Sequence, residues 1–352
     1  MGPFFKKSAA SAALDKAGIS SLNPNRETYS PVSSIPKTSK ERLAYAATGG
    51  VAHHKSSSTS TVLYLAYGSN MSAQTFLDVR GIRPLSQVNV SAPSLRLTFD
   101  LPGIPYREPC FANVSFRKVS EKAASRQNEL VHQTMDWDGG LIGVVYEVTQ
   151  EDWRNIMRTE GAGSSYKEIL VPCFPIRPKE TLPTDGPQSF LATTLYAPQA
   201  LDADQDFSEH SWWKRLFEGR QRPNPDYAQA SLRYLNLLRT GGEEHDLPAS
   251  YQKYLHSLRP YTTTRWSQTF GQIAFLGLWA PPLMACLGMA RVLADQTGNL
   301  PPWLAHGVSI LFNFMWLTYD VAFKPVFGDG ERTERDNSVE YRIPLSKVVA
   351  SA

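Results

Sequence analysis

An apolar, β-favouring run, Val62-Leu63-Tyr64-Leu65-Ala66, stops abruptly at the polar sequence Tyr67-Gly68-Ser69-Asn70. A short continuous apolar run bounded by turn residues is the pattern of a strand buried in the core. The four residues after it predict a tight turn, since Gly68 tolerates positive φ and the Asn70 side chain can bond its own backbone. A polar loop this small at the end of a core strand has two readings. In one, Ser69 or Asn70 caps the segment that follows. In the other, successive backbone N–H groups beside a helix start converge on negative charge and form an anion cradle. Spacing alone does not decide between them. The second glycine and the Lys-Ser/Thr of a P-loop are absent.

The rest of the chain narrows the classes. Its 352 residues suffice for more than one average domain and a sizeable core. The net charge of +3 is unevenly spread, because residues 1–60 hold eight Lys/Arg against three Asp/Glu. No basic, aromatic-studded face points to nucleic acid. Cys110, Cys173 and Cys286 are far apart and odd in number, which argues against both a disulfide framework and a zinc site. They suit a reducing, intracellular compartment.

Residues 1–60 carry few large apolar side chains and predict a disordered basic tail, too poor in buriable surface to offset its ordering entropy. The tail has no apolar stretch of secretory-signal type; a mitochondrial transit peptide stays open, the first acidic residue being Asp15. From 61 to 264 short β runs alternate with a few helical stretches. Strands are expected at 141–148, 169–174 and 190–196, and helices at 227–240 and 248–258. Two polar stretches, 119–138 and 199–222, predict surface insertions.

After the strand at 141–148, Thr149 with Asp152 three positions on is a capping-box-like helix start. Trp153, Ile156 and Met157 then form one apolar stripe. Glu160 lies i+4 from Ile156 and i+7 from Trp153, so it extends the buried face, and Gly161 ends the helix. An inward carboxylate is costly unless paired or neutral, and desolvation raises its pKa toward the range of a general base. The alternative is a helix that frays one residue early and leaves Glu160 in water. Farther on, Pro223-Asn224-Pro225-Asp226 is a stiff turn that delivers Tyr227 to a helix start, as a pocket residue or as ordinary core.

Together these pieces resemble the γ-glutamylcyclotransferase family. Tyr64-Leu65-Ala66-Tyr67-Gly68-Ser69-Asn70-Met71 is similar to that family's signature strand and loop. Gly143-Val144-Val145-Tyr146, followed by a helix ending Thr159-Glu160-Gly161, resembles its strand, helix and catalytic glutamate. Tyr166 with Ile169-Leu170-Val171 continues the match. Pro223-x-Pro-x-Tyr227 and Leu247-Pro248-Ala249-Ser250-Tyr251 resemble its C-terminal helices. The likeness covers 62–262. It implies a mixed α/β fold, a small β-barrel with flanking helices, over a catalytic domain at 61–264. It also implies a small-molecule γ-glutamyl substrate, held by Tyr64, Leu65, Ala66, Tyr67, Gly68, Ser69, Asn70 and Tyr227. Glu160 would act as acid and base in ring closure to 5-oxoproline, with no metal and no cofactor. The "YGSN" form looks closer to the γ-glutamyl-amino-acid branch than to the glutathione-specific branch. Fungal members with added segments act on glutathione-derived conjugates in sulfur-containing toxin pathways, which makes such secondary metabolism a candidate setting. A binding module that kept the fold without turnover is the alternative, as is a membrane adaptor.

The last quarter differs in kind. Residues 273–290 are eighteen without a charge, and 303–319 are seventeen more whose polar members include His306, Ser309, Asn313 and Thr318. The first stretch just reaches the length of about 18 apolar residues that suggests a spanning helix. An apolar helical hairpin at 265–327 is therefore expected, followed by a polar tail at 328–352, with membrane association through 270–324 and the catalytic domain facing the cytosol. A soluble hairpin folded back on the barrel, or an amphipathic pair lying in the membrane interface, is the competing reading. The sequence leaves the oligomeric state open.

Overall fold

The computed structural model describes residues 31–48, 53–56, 59–117, 137–161, 167–176, 189–197, 224, 226–293 and 301–334. The apolar run forms the second half of strand β2 (Thr59–Ala66), with β1 (His53–Ser56) beside it. The others are β3 (Ser86–Ala92), β4 (Leu95–Ile104), β5 (Glu108–Phe116), β6 (Leu141–Thr149), β7 (Lys167–Pro175) and β8 (Phe190–Tyr196). Strand β2 is bonded on both edges. Tyr64 lies opposite Tyr146 of antiparallel β6, and on the other side it pairs with Thr193 of parallel β8. The order β2-β6-β3-β7-β8 thus returns to β2 and closes a five-stranded barrel. Each antiparallel neighbour reverses direction, so a ring of five needs at least one parallel pair; here it is β8 with β2. Strands β4 and β5 form a separate two-stranded ribbon with an irregularity between Thr98 and Leu101. The fold is mixed α/β, as expected.

Residues 31–48 correct the expectation of a disordered tail over 1–60. Helix α1 (Lys40–Ala47) is capped by Ser39, whose Oγ accepts the Arg42 N–H at 3.1 Å. Upstream of it, Gln87 of β3 donates its N–H to Pro36 O at 2.9 Å and accepts the Thr38 N–H at 3.1 Å. Val32, Ile35 and Ala46 are buried in the main core, and Arg42 Nε reaches Glu147 Oε1 at 2.9 Å. The segment is poor in apolar residues, but three of them are buried, and backbone bonds supply the rest. Residues 1–30 and most of both expected insertions, at 118–136 and 198–223, lie outside the described residues.

Among the described residues five longer helices follow: α2 (Gln150–Gly161), α3 (Leu232–Glu244), α4 (Ala249–Ser257), α5 (Trp266–Leu293) and α6 (Pro302–Thr318). Helix α5 continues through Pro281 and Pro282. It packs antiparallel to α6, with Phe275 against Tyr319, and Trp279 against Phe314. Both helices grip the tip of the β4–β5 ribbon. Gln272 Nε2 donates to Tyr106 O at 2.7 Å, and Trp316 Nε1 to Gly103 O at 3.2 Å. Tyr106, at the turn of the ribbon, is buried by this contact.

The chain leaves α6 through a wide helical turn (Tyr319–Phe323) and the short α7 (Lys324–Phe327), then folds back under the ribbon. Residues 328–334 are therefore packed, which corrects the polar tail expected over 328–352; residues 335–352 lie outside the described residues. Asp329 organises this return. Its Oδ1 accepts the N–H groups of Glu331 at 2.7 Å and Arg332 at 3.1 Å, and the Tyr319 hydroxyl at 3.2 Å. Its Oδ2 accepts the Tyr227 hydroxyl and pairs with Lys324 Nζ at 3.1 Å. Burial opposes ionisation of Asp329, but the Tyr227 hydroxyl, the Glu331 N–H and Lys324 outweigh it and hold the carboxyl below its usual range. Stability from such a depressed carboxylate is present above its unfolded pKa and is lost as pH falls through the folded one. Asp329→Asn removes one of the two carboxylates on Lys324 and leaves Glu331 at 3.3 Å. It should lower the unfolding free energy at pH 7 by about 1–3 kcal/mol and flatten the acid limb of a denaturation series run from pH 5 to 2.

Candidate functional site

The loop after β2 is held from both sides. The Tyr67 hydroxyl donates to Leu195 O at 2.7 Å, Thr194 Oγ1 donates to Leu65 O at 2.9 Å, and Asn70 Nδ2 donates to the Tyr64 hydroxyl at 2.8 Å. Ser69–Met71 is one 3-10 turn, closed by Met71 N–H on Gly68 O at 3.0 Å and Ser72 N–H on Ser69 O at 3.1 Å. Tyr64, Leu65 and Ala66 are core side chains; they position the loop. The N–H groups of Gly68 and Ser69 donate to no acceptor among the described residues. Two adjacent donors at a strand end are the geometry of an anion cradle. Gly68 has φ −107°, which corrects the expectation of positive φ. What the glycine supplies is room, since a Cβ there would stand 3.3 Å from the Tyr234 hydroxyl and 3.4 Å from Ala112 Cβ.

Helix α3 clamps the loop from outside. A Cβ on Gly241 would lie 2.7 Å from Met71 Cβ and 2.8 Å from Ser72 N, so only glycine allows the helix so close. Glu244, half-buried, accepts the Ala73 N–H at 2.7 Å; burial raises its carboxyl, and that backbone bond opposes the rise. His245 Nε2 lies 2.7 Å from the Tyr146 hydroxyl and 3.1 Å from Met71 O. Burial pushes its imidazole down to about 4. At the other end of α3, Ser231 Oγ accepts the Tyr234 N–H at 3.1 Å and donates to the buried Glu108, which also pairs with Arg233 at 2.9 Å. This cap aims Tyr234, whose hydroxyl accepts the Ala112 N–H at 3.1 Å beside Gly68.

Tyr227, expected to line the pocket, bonds Asp329 through its hydroxyl, and its ring lies 4.7 Å from Lys324 Nζ; Tyr234 stands at the loop with Tyr64 and Tyr67. The helix expected at 227–240 runs instead from Leu232 to Glu244. The sequence signal for Tyr234 was available: Ser231 stands three residues ahead as a cap, less conspicuous than the two prolines before Tyr227. Cys110 and Cys173 are buried, and burial drives both thiols up, away from nucleophile character.

Helix α2 begins as the capping pattern requires, with Thr149 Oγ1 accepting the Asp152 N–H at 3.0 Å. Trp153 and Ile156 are buried, and the Trp153 ring centroid lies 5.5 Å from that of Tyr64. Thr149 is opposite Thr61, and Trp153 is against Tyr64, so α2 advances in the direction of β2. Its backbone extends to Glu160 and Gly161. The Glu160 side chain and Tyr166 lie outside what the structure describes.

Two outcomes test this geometry. Gly68→Val crowds Tyr234 and Ala112 and should abolish turnover while lowering Tm by only a few degrees. A Tm drop that tracked activity across several Gly68 substitutions would make the loop a plain structural turn. His245 titrates near 6.5 when unfolded, so stability should be full above that pH and fall by on the order of 3 kcal/mol between 6.5 and 4. Urea unfolding at stepped pH should show this slope in the wild type, and His245→Gln should lose it.

Comparison with known proteins bears on what such a site belongs to. The family model "AclK C-terminal domain" matches residues 265–326. "Gamma-glutamyl cyclotransferase gliK" of Aspergillus fumigatus is 31% identical over 295 residues, covering 81% of this chain and 95% of the relative. "Gamma-glutamyl cyclotransferase aclK" of Aspergillus oryzae is 30% identical over 277 residues, 77% of this chain and 90% of its own. "Gamma-glutamyl cyclotransferase gliK" of Claviceps purpurea is 26% identical over 262 residues, 74% of this chain and 99% of its own. A solved structure titled "Gamma-glutamyl cyclotransferase", aligned over 58% of this chain and 92% of its own at 15% identity and TM-score 0.38, is too distant to add to this. The Aspergillus relatives align along nearly their whole lengths at 30% identity or better, and the chain belongs to the γ-glutamylcyclotransferase family of enzymes.

Proposed function

We propose that the protein converts a small γ-glutamyl compound, a γ-glutamyl amino acid or a glutathione-derived conjugate, into 5-oxoproline and a free amine, with Glu160 as acid and base. The observation that carries this reading is the pair of backbone donors at Gly68 and Ser69, beside the Tyr234 hydroxyl. Helix geometry supports the choice of Glu160. Seven residues beyond Trp153, at about 1.5 Å each, is about 10 Å along α2 on the same face. That equals about three strand residues beyond Tyr64, the level of Tyr67 and Gly68.

In this mechanism the Glu160 carboxylate takes a proton from the substrate α-ammonium, whose reference pKa is about 8. The freed nitrogen attacks the γ-carbonyl carbon of its own glutamyl group, and the carbonyl electron pair moves onto oxygen. The Gly68 and Ser69 N–H groups stabilise that oxyanion. Collapse restores the carbonyl and breaks the bond to the leaving nitrogen, which takes the proton back from Glu160; the ring nitrogen then gives up its second proton, again by way of Glu160, to the departing amine. A neutral five-membered lactam and an ammonium product remain, and Glu160 is a carboxylate again. The nucleophile is tethered, so alignment supplies much of the rate; effective molarities for such closures reach about 10⁵ M or more. Tyr234 orients the glutamyl portion in place of Tyr227. The cytosol, where reduced thiols and γ-glutamyl compounds occur, is the compartment that suits this chemistry.

The test is release of 5-oxoproline by the purified full-length chain, offered γ-glutamyl amino acids and glutathione in parallel. Glu160→Gln keeps the shape but cannot accept the proton, and should cost about 10²-fold or more in turnover with unchanged circular dichroism. Near-native turnover in that variant would refute the assignment of Glu160. Binding of γ-glutamyl ligand without 5-oxoproline release would favour the non-catalytic module.

A further inference from the structure

The pair α5–α6 has an apolar outer face as well as an apolar core. Residues 266–290 and 302–318 contain no Asp, Glu, Lys or Arg. Several of their polar side chains turn inward, although Thr269 and His306 are exposed. Gln268 and Asn313 are buried, Gln272 bonds Tyr106 O, and Thr318 Oγ1 accepts the Trp279 indole N–H at 3.1 Å. Phe275, Trp279, Met315 and Trp316 are buried in the pair's own core, and a second set of large apolar side chains turns outward: Trp266 is 78% exposed, Ile273 65%, Leu278 54% and Phe314 49%. A helix pair solvated by water keeps its outer face polar.

From this we propose that the outer face of α5 and α6 sits in the hydrocarbon of a lipid bilayer, with the catalytic domain resting at the headgroup layer. Helix dimensions fit. The ribbon tip touches the pair at Phe275 and Trp316. Beyond that level, residues 279–293 and 303–315 extend about 20 Å at 1.5 Å per residue, enough to enter a hydrocarbon core of about 30 Å. Trp303 is 61% exposed near the far end of this extension. Ion-paired groups gather at the opposite end. Lys324 pairs with Asp329 and Glu331, and Arg265 with Glu334 at 3.1 Å. Burial disfavours the Lys324 ammonium, but Glu331 and Asp329 more than compensate and raise its pKa. The pair therefore has one ion-paired end and a long uncharged stretch, with Arg291 two residues from the end of α5, where a long side chain can snorkel toward water.

The test is flotation of the full-length protein on a density gradient with phosphatidylcholine vesicles, beside the double variant Leu278→Glu/Met284→Glu. Both side chains face outward, so the variant should keep its circular dichroism and its 5-oxoproline turnover. The wild type should float, and the variant should lose on the order of 100-fold in vesicle partition and stay at the bottom. Wild-type protein that remains unlipidated in the high-speed supernatant, whether as a monomer or as a dimer that covers Leu278, overturns the proposal, the dimer in favour of a second copy as occupant. Equal flotation of the variant overturns it too, since binding would then lie elsewhere. Turnover is read on the same fractions, so an inactive protein that floats counts against the enzyme reading alone.

Discussion

Strand β2 is hydrogen-bonded along both edges, and the site depends on that double pairing. Antiparallel β6 lies on one side; β1 and then parallel β8 lie on the other. A strand with two partners cannot fray at its end without opening the barrel. The loop at residues 67–71 therefore starts from a fixed point. Its donors are ordered by folding rather than by substrate, the condition under which backbone N–H groups stabilise developing charge without reorganisation. The Tyr67 hydroxyl on Leu195 O and Thr194 Oγ1 on Leu65 O tie the loop's root to β8 as well.

A second constraint comes from α3, whose two ends do different work. Its C-terminal end meets the loop backbone at Gly241 and bonds it through Glu244 and His245. Its N-terminal end is fixed by Ser231 and by Arg233 on Glu108, an acid buried in the ribbon. Only the Glu108 side of that pair is buried, since Arg233 reaches it from the surface. The direction in which Tyr234 points is thus set by the ribbon as much as by its own helix.

Local pattern made some of this legible in the sequence. The strands at β2, β6 and β8 are short apolar runs, and the start of α2 has its capping pair, so each element announces itself. Strands β3 to β5 do not. Gln87, Asn89, Ser91, Asp100 and Asn113 are all buried there, bonded to chain segments remote in sequence: Gln87 Nε2 to Val32 O at 2.8 Å, Asn89 Nδ2 to His245 O at 2.7 Å, and Asn113 Nδ2 to Ala197 O at 2.9 Å. Tertiary partners make those polar residues interior, and no window of sequence contains them. The surroundings of Tyr227 are hidden in the sequence for a related reason. Its proline-stiffened turn is a real local signal, but Asp329, about a hundred residues later, captures its hydroxyl. The ordered stretch at 31–48 likewise owes its place to Gln87 and Glu147.

The ribbon joins the two halves of the molecule. Its tip is held by the helical pair through Gln272 and Trp316, and by the returning chain through Tyr106 N–H on Gly330 O at 2.7 Å. Six residues along β5 from Tyr106, about 20 Å of extended chain, Ala112 meets the Tyr234 hydroxyl over Gly68. Tilting the pair against the barrel would break the bonds at Gly103, Tyr106 and Asp329 together, so the pair and the catalytic domain keep one relative orientation. A bilayer that holds the pair therefore also orients the mouth of the site, through contacts that are polar, buried and short rather than through a linker.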